Sequence, residues 1–308
     1  MSATALTLHS LSAPDRAAMA TLRDATAPFK GKLGGPEARP MFTALIEATP
    51  AAPGVQYEAA TVGGVPGYWC RPAGQLPADT ALLYLHGGAF VLGSAAAFRH
   101  LAGQLAARVG VACFVADYRL APEHPYPAAP DDALAAYRGL AALGYTRLAL
   151  VGDSAGGNLA LATLAAAGAD ATLPRPRAAA AFSPWTDLAL TGDTYATRAE
   201  ADLSFTKEMP LGVSARLYLA GHDAHDPRVS PLYGELAGLP PVQIQVGDDE
   251  VLLADSVRYA GRGQATGGQA ELHVWLGMGH VFPASVGTLE AAAQALDSTG
   301  NFLRKHLA

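Results

Sequence analysis

The stretch LVGDSAGGNLALATL, residues 150–164, indicates the fold, because it places one serine between an apolar strand-like run and an apolar helix-like run. Ser154 has Gly152 two residues before it and Gly156 two residues after it. A Gly-x-Ser-x-Gly turn lifts the serine hydroxyl clear of the backbone at the carboxyl end of a strand. The alternative is that Ser154 only caps the following helix. The pattern predicts a strand, a sharp turn and a helix, with Ser154 as a nucleophile.

Short apolar runs alternate with longer Ala- and Leu-rich runs from residue 81 onward. Parallel strands that are covered by helices on both faces give this pattern, because such strands are apolar along their whole length. A further stretch, 58–72, predicts a leading hairpin with glycines at its turn. The fold class is therefore α/β. The predicted core strands are 81–85, 111–116, 147–151, 178–182, 242–246 and 271–275.

Two segments fall outside this alternation, about 1–50 and about 190–227. The first is helical around APDRAAMATLRDAT and the second around KEMPLGVSARLYLAG. No internal repeat or Gly/Ser-rich linker divides the sequence into autonomous domains. We therefore expect one domain over 1–308, with a cap formed by these two segments and a catalytic core of about 55–189 and 228–308.

Composition excludes several classes of protein. The 308 residues are about half apolar, which is enough for one large core. The net charge of −6, without a run of Lys and Arg, argues against nucleic acid and anionic membranes as partners. No apolar run reaches the roughly 18 to 20 residues of a membrane span, and the N-terminus lacks the pattern of a secretory signal. A cytoplasmic location is expected, with Cys70 and Cys113 as buried thiols.

A second motif, LYLHGGAF at residues 83–90, ends a predicted strand with His86, Gly87 and Gly88. Two consecutive glycines let backbone N–H groups face a ligand without obstruction by Cβ, as an oxyanion hole requires. The N–H of Ala155, at the start of the helix after Ser154, points toward the same space. The alternative is an ordinary turn after a strand. The motif favours a site that binds a negatively charged oxygen.

Four motifs occur together in this chain: HGGAF (86–90), DYRLAPEHPYPAAPDD (117–132), GDSAGGNLA (152–160) and GMGHVFP (277–283). In combination they resemble the hormone-sensitive-lipase family of bacterial carboxylesterases, from about residue 60 to the C-terminus. The resemblance implies an α/β-hydrolase fold with a mostly parallel eight-stranded sheet and a helical cap. It also implies that the amides of Gly87 and Gly88 are oxyanion donors, beside the Ala155 amide that the turn predicts, together with no cofactor and hydrolysis of esters with short acyl chains. A homodimer is a family-level expectation only.

A serine nucleophile needs a histidine to accept its proton and a carboxylate to orient that histidine. His280 lies in a glycine-rich loop after the last predicted strand and within a motif of the family, so it is the predicted base. His273 alternates within a strand and is expected to point into a sheet face. His222 and His225 have a spacing that metal sites use, but no further ligands accompany them, and no metal site is predicted.

The loop after VQIQV contains the candidates for the catalytic acid: Asp248, Asp249, Glu250 and Asp255. When the loop is aligned on the family's Asp-Pro-Leu signature, Glu250 takes the place of the catalytic Asp. Glu250 is therefore the predicted acid, and Asp249 is the alternative. Asp248 and Asp255 are interpreted as solvated or helix-capping residues. We also expect Asp153 to anchor the 117–132 loop, through Arg119 or the backbone.

These residues predict a serine carboxylesterase that acts on a small-molecule ester of short to medium acyl chain through an acyl-enzyme. Two alternatives use the same fold. One is a non-catalytic protein that binds a small molecule, and the other is an amide hydrolase with the same triad. The apolar residues that fall where a substrate pocket is expected are Phe90, Trp185, Phe205, Met209, Leu217 and Phe282.

Overall fold

A computed structural model describes residues 6–32, 34–206 and 210–308 of the chain. Its centre is a sheet of nine strands, which are β1 (Leu6–His9), β2 (Val55–Val62), β3 (Val65–Pro72), β4 (Thr80–Leu85), β5 (Ala112–Ala116), β6 (Arg147–Asp153), β7 (Ala178–Phe182), β8 (Val242–Gly247) and β9 (Ala270–Trp275). Their order across the sheet is β1-β9-β8-β7-β6-β4-β5-β3-β2. The first seven strands of this order pair in parallel, and β3 pairs antiparallel with both β5 and β2.

All six predicted core strands are present, and their ends differ from the prediction by at most two residues. Every residue of β4, β5, β7 and β8 is buried, which explains why these strands are apolar throughout. The leading hairpin is β2 and β3, joined at Gly63 and Gly64, whose φ angles of +61° and +83° suit a two-residue turn. The predicted α/β-hydrolase fold is confirmed.

The prediction of eight strands is wrong by one, because β1 adds a ninth strand in parallel to β9. The sequence pattern predicts that this segment belongs to the cap, which is wrong for residues 6–9. Leu6 and Leu8 are exposed, so the four residues of β1 carry no buried apolar face that a sequence pattern reveals. His9 instead attaches β1 to β9. Its ring stacks on Trp275 at a centroid distance of 3.6 Å, and its Nε2 lies 3.0 Å from His273 Nδ1.

Helices cover both faces of the sheet. The helices are α1 (Ala13–Thr26), α2 (Arg39–Glu47), α3 (Ala95–Val109), α4 (Ala128–Ala142), α5 (Ala155–Ala169), α6 (Thr194–Thr197), α7 (Pro210–Leu219), α8 (Leu253–Ala265) and α9 (Glu290–Leu307). Alternate residues of β4 point to opposite sides: Leu82 packs with α3 and α9, and Leu83 packs with α4 and α5. Cys70 and Cys113 are buried as free thiols on the side of α3.

The N-terminal segment and the insertion 190–227 contact each other. The N–H of Gly31 donates to the carbonyl of Ser204 at 2.9 Å, and Ser214 Oγ donates to the carbonyl of Gly34 at 2.9 Å. α1 and α7 correspond to the two predicted helical stretches, although residues 207–209 lie outside the described residues. The division into cap and core stays a prediction. No helix in the described parts of the chain is long and apolar enough to cross a membrane.

Candidate active site

Ser154 lies in a strained turn between β6 and α5. Its φ of +53° and ψ of −119° are conformations that a residue with a Cβ rarely adopts. A Cβ at Gly156 would lie 2.0 Å from the carbonyl oxygen of Leu85, so only glycine permits this packing. The Ser154 side chain forms no capping hydrogen bond with α5, a helix that the structure describes completely. The geometry is therefore that of a nucleophile elbow rather than that of a helix cap.

Ser154, His280 and Glu250 form one hydrogen-bonded chain. His280 Nε2 lies 3.0 Å from Ser154 Oγ, and His280 Nδ1 lies 2.7 Å from Glu250 Oε2. The Glu250 side chain is fully buried, and the His280 side chain is 9% exposed. The structure thus brings the three predicted residues together in the order that a hydroxyl, a base and an acid require.

The charges around His280 favour its protonated form. Burial alone would lower the pKa of His280. The hydrogen bond and the charge of Glu250, together with the charges of Asp202 and Asp153, outweigh burial and raise the pKa of His280 above its ordinary value. The site is therefore suited to hold an imidazolium during a reaction.

Ser183 is a residue of the site that no sequence motif predicts. Its Oγ donates to Glu250 Oε1 at 2.7 Å and accepts from the N–H of Val281 at 3.0 Å. The N–H of Gly247 also donates to Glu250 Oε1, at 2.8 Å. Ser183 thus binds both Glu250, the predicted acid, and the loop that carries His280. The available signal was its place, directly after β7, as Ser154 directly follows β6.

The other carboxylates near Glu250 have different partners. Asp249 pairs with Arg23 of α1 at 3.2 Å. Asp248 accepts from the N–H of Gly277 at 2.5 Å. The expectation that Asp255 is solvated or helix-capping is wrong, because its fully buried carboxylate accepts from two backbone N–H groups and from Tyr195. Burial raises the pKa of Asp255 to about 8.

The predicted oxyanion donors do not all face the same space. The N–H of Gly87 donates to Asp153 Oδ1 at 3.0 Å, so it is already bonded to a buried carboxylate. Gly88 and Ala89 border the cavity beside Ser154. Within the described parts of the chain, the N–H groups of Gly88, Ala89 and Ala155 have no hydrogen-bond partner. The N–H of Gly87 is thus not free for an oxyanion as the sequence predicted, and Gly88, Ala89 and Ala155 are the candidate donors.

Asp153 binds the loop that begins at Gly87 rather than the 117–132 loop. Its Oδ1 also accepts from the hydroxyl of Tyr84 at 2.7 Å. Arg119 pairs with Asp132 at 2.8 Å, so the expected link from Asp153 to Arg119 is wrong. Burial raises the pKa of Asp153 to about 7. A Cβ at Gly87 would lie 2.1 Å from Asp153 Oδ2, which explains why glycine precedes the proposed donors.

A cavity of about 530 Å³ borders Ser154 and His280. Of the six apolar residues predicted to line a pocket, Phe205 does so. Phe90, Trp185 and Phe282 are instead buried in the core, and Leu217 packs against it. Met209 lies outside the described residues. The side chains that line the cavity are mostly apolar and come from both predicted cap segments, among them Leu22, Phe42, Ile46, Leu203 and Phe205.

His222 and His225 are bound to carboxylates of their own loop. His222 Nε2 lies 2.8 Å from Asp226 Oδ2, and His225 Nδ1 lies 3.3 Å from Asp223 Oδ1. In residues 6–32, 34–206 and 210–308, no cluster of three or more His, Cys, Asp or Glu residues is arranged to hold a metal ion.

Known proteins share this fold and much of this sequence. A family model described as alpha/beta hydrolase fold matches residues 82–284. An acetyl-hydrolase from Streptomyces hygroscopicus is 42% identical over 246 residues, covering 79% of this chain and 81% of its own length. An esterase from Acinetobacter venetianus is 34% identical over 267 residues, covering 86% of this chain and 87% of its own length.

A crystal structure of an esterase from the bacterial hormone-sensitive lipase family superposes with a TM-score of 0.88 at 38% identity. The match covers 97% of this chain and 99% of that esterase. The fold and the hydrogen-bonded serine and histidine define the protein as an α/β-hydrolase enzyme of the serine carboxylesterase type. Within that class, the chain belongs to the bacterial hormone-sensitive-lipase family.

Proposed function

We propose that the protein hydrolyses small carboxylic esters of short to medium acyl chain through Ser154, His280 and Glu250. One observation carries the proposal: hydrogen bonds link Ser154 Oγ through both nitrogens of His280 to Glu250, and the Ser154 end of this chain borders an apolar cavity. A hydroxyl becomes a useful nucleophile when a histidine at this distance accepts its proton.

The reaction begins when His280 Nε2 takes the proton of Ser154 as Oγ attacks the ester carbonyl. The buried carboxylate of Glu250 stabilises the imidazolium that forms. The alcohol leaves with the proton of His280, and a water molecule then repeats the sequence on the acyl-enzyme. The raised pKa of His280 supports this assignment, because the same charges that raise it stabilise the transition state.

The oxyanion of the tetrahedral intermediate binds, in this proposal, to the N–H groups of Gly88, Ala89 and Ala155. Gly88 and Ala89 adopt positive φ angles of +118° and +53°, which turn the loop toward the cavity. Ala155 N–H stands at the N-terminus of α5, where the helix dipole favours negative charge. The loss of one such donor costs roughly 10²- to 10³-fold in rate.

The size and lining of the cavity support small, apolar esters as substrates. A volume of about 530 Å³ is within the range of pockets for small molecules. The relative from S. hygroscopicus is described as an acetyl-hydrolase, which favours short acyl groups. We propose that the helical segment 13–50, which follows β1, and the insertion 190–227 form the cap over this site, because both contribute residues to its lining. A homodimer and a cytoplasmic location stay predictions.

The proposal is tested by hydrolysis of p-nitrophenyl esters from acetate to laurate, with the protein and its Ser154→Ala variant. We expect activity that is highest with short chains and absent from the variant. A matched p-nitroanilide series separates ester from amide hydrolysis, because amines leave less readily. A folded protein that hydrolyses none of the esters would contradict the proposal and favour the non-catalytic alternative.

A further inference from the structure

The insertion 190–227 holds the backbone directly beside the proposed acid. Val251 follows Glu250, and its N–H donates to Asp202 Oδ2 at 2.8 Å. The carbonyl of Val251 accepts from Thr194 Oγ1 at 2.7 Å. All four residues are buried. Both backbone groups of Val251 are therefore bound by side chains of the insertion, so the position of the acid depends on it.

Asp202 also fixes one wall of the substrate cavity. Its Oδ1 accepts from the N–H groups of Ser204 and Phe205, at 2.7 and 2.9 Å. The Phe205 ring meets the His280 ring edge-on, at a centroid distance of 5.1 Å and an angle of 65°. Leu203, Ser204 and Phe205 all line the cavity. One carboxylate thus links the cavity wall to the loop of the acid.

The Asp202 carboxylate is nearly inaccessible, with 1% of the residue exposed. No Lys or Arg in the described part of the chain pairs with it. Burial raises the pKa of Asp202, and the three N–H donors and nearby His280 act against that rise. The groups whose charges favour protonation of His280 are Glu250, Asp202 and Asp153. Asp202 is therefore a second buried carboxylate, besides Glu250, whose charge favours the protonated form of His280, although no hydrogen bond among the described residues joins Asp202 to His280.

We propose that Asp202 is a positioning residue for ester hydrolysis, holding Glu250 in line with His280 and supplying a second negative charge to the imidazolium. Alignment of the acid and placement of the cavity wall then depend on the same side chain. This inference rests on the proposed Ser154-His280-Glu250 triad.

The test compares Asp202→Asn with Thr194→Val. Asparagine keeps an oxygen for Ser204 and Phe205 but turns an amide NH2 toward the N–H of Val251, and it removes the charge. We expect kcat to fall about tenfold, the equivalent of one hydrogen bond, with little change in KM. The acid limb of kcat/KM moves to lower pH, because loss of the Asp202 charge destabilises the imidazolium and so lowers the pKa of His280. Thr194→Val loses a bond to the same residue without a change of charge, so kcat falls and the limb does not move.

Asp187→Asn is the control for a purely structural effect. Asp187 is also fully buried and binds Arg258 at 2.8 Å, but none of its hydrogen bonds within the described residues reaches 247–252. We expect this variant to lower the Tm and to leave kcat and the pH limb unchanged. If Asp202→Asn behaves in the same way, the inference is wrong. If Glu250→Gln retains full activity, the proposed triad itself is wrong, and the two failures are thus distinguished.

Discussion

The turns after β6 and β7 carry serines with similar positive φ angles but with different surroundings. Ser154 has a φ of +53° and Ser183 a φ of +47°, and each directly follows a buried parallel strand. Ser154 borders the cavity and stands at the N-terminus of α5. Ser183 is fully buried, binds Glu250 and is followed by Pro184. A strained serine at the end of a strand becomes a nucleophile only where substrate, base and oxyanion donors meet.

The largest effect that separates the two turns is expected from Ser154→Ala. Without the nucleophile, kcat/KM should fall by on the order of 10⁴-fold or more, and the residual rate then comes from the oxyanion site and from binding. Steady-state kinetics with p-nitrophenyl acetate measures this loss. The Tm should change little, because the Ser154 hydroxyl is bonded only to His280 among the described side chains. An active variant would remove Ser154 from the mechanism.

Glu250→Gln should cost nearly as much, on the order of 10³- to 10⁴-fold in kcat, because the imidazolium loses its buried partner. The matched variant is Asp249→Asn, which breaks only the partly exposed pair with Arg23. Such pairs are worth about 0 to 1 kcal/mol, so its kcat should stay within a few-fold of the parent's. The reverse ranking of the two variants would make Asp249 the acid.

Ser183→Ala should have an intermediate effect and would show what the second turn does. The variant leaves Glu250 with two of its three hydrogen-bond partners and frees the N–H of Val281. We expect kcat to fall roughly tenfold, in line with the loss of one or two buried hydrogen bonds. A loss as large as that of Ser154→Ala would mean that Ser183 does more than orient the acid.

The pH dependence of kcat/KM tests the charges that surround His280. His280 must be neutral to act as a base, so activity is lost as pH falls through its pKa. Because that pKa is raised, the acid limb should lie above the ordinary histidine value of 6.5. In Glu250→Gln the residual activity should show a limb at lower pH. A limb that does not move between parent and variant would contradict the ion pair.

The smallest effect is expected from Ala89→Gly, which removes one methyl group from the cavity wall. Ala89 has a φ of +53°, a conformation that glycine adopts without strain. We expect kcat/KM to rise a few-fold for esters of branched alcohols and to stay nearly constant for ethyl esters. An equal change for both substrates would mean that the Ala89 methyl group does not limit the size of the ester.

The sequence predicted the parts of the site that depend on local chain geometry. The elbow around Ser154 was predictable because the two glycines and the flanking apolar runs lie within 15 residues. The core strands were predictable because strands buried on both faces are apolar throughout. The placement of His280 after β9 and of Glu250 after β8 followed from the motifs of the family.

The parts that the sequence did not predict depend on contacts between distant segments. Ser183 binds Glu250 and Asp202 binds Val251, but neither has a spacing in the sequence that marks it as a neighbour of the predicted acid. The hydrogen bond from the N–H of Gly87 to Asp153 was not predictable, because the two residues lie 66 positions apart. β1 was missed because a four-residue edge strand has no buried apolar face. Such contacts appear only once the chain is folded.

The most direct test of the central claim is labelling with a fluorophosphonate, followed by peptide mass spectrometry of both serine turns. The reagent modifies a serine that a histidine activates and that an oxyanion site faces. We predict one adduct, on the peptide of Ser154, with none on that of Ser183, and no adduct at all in His280→Ala. An adduct on Ser183, or labelling of Ser154 that persists without His280, would contradict the account.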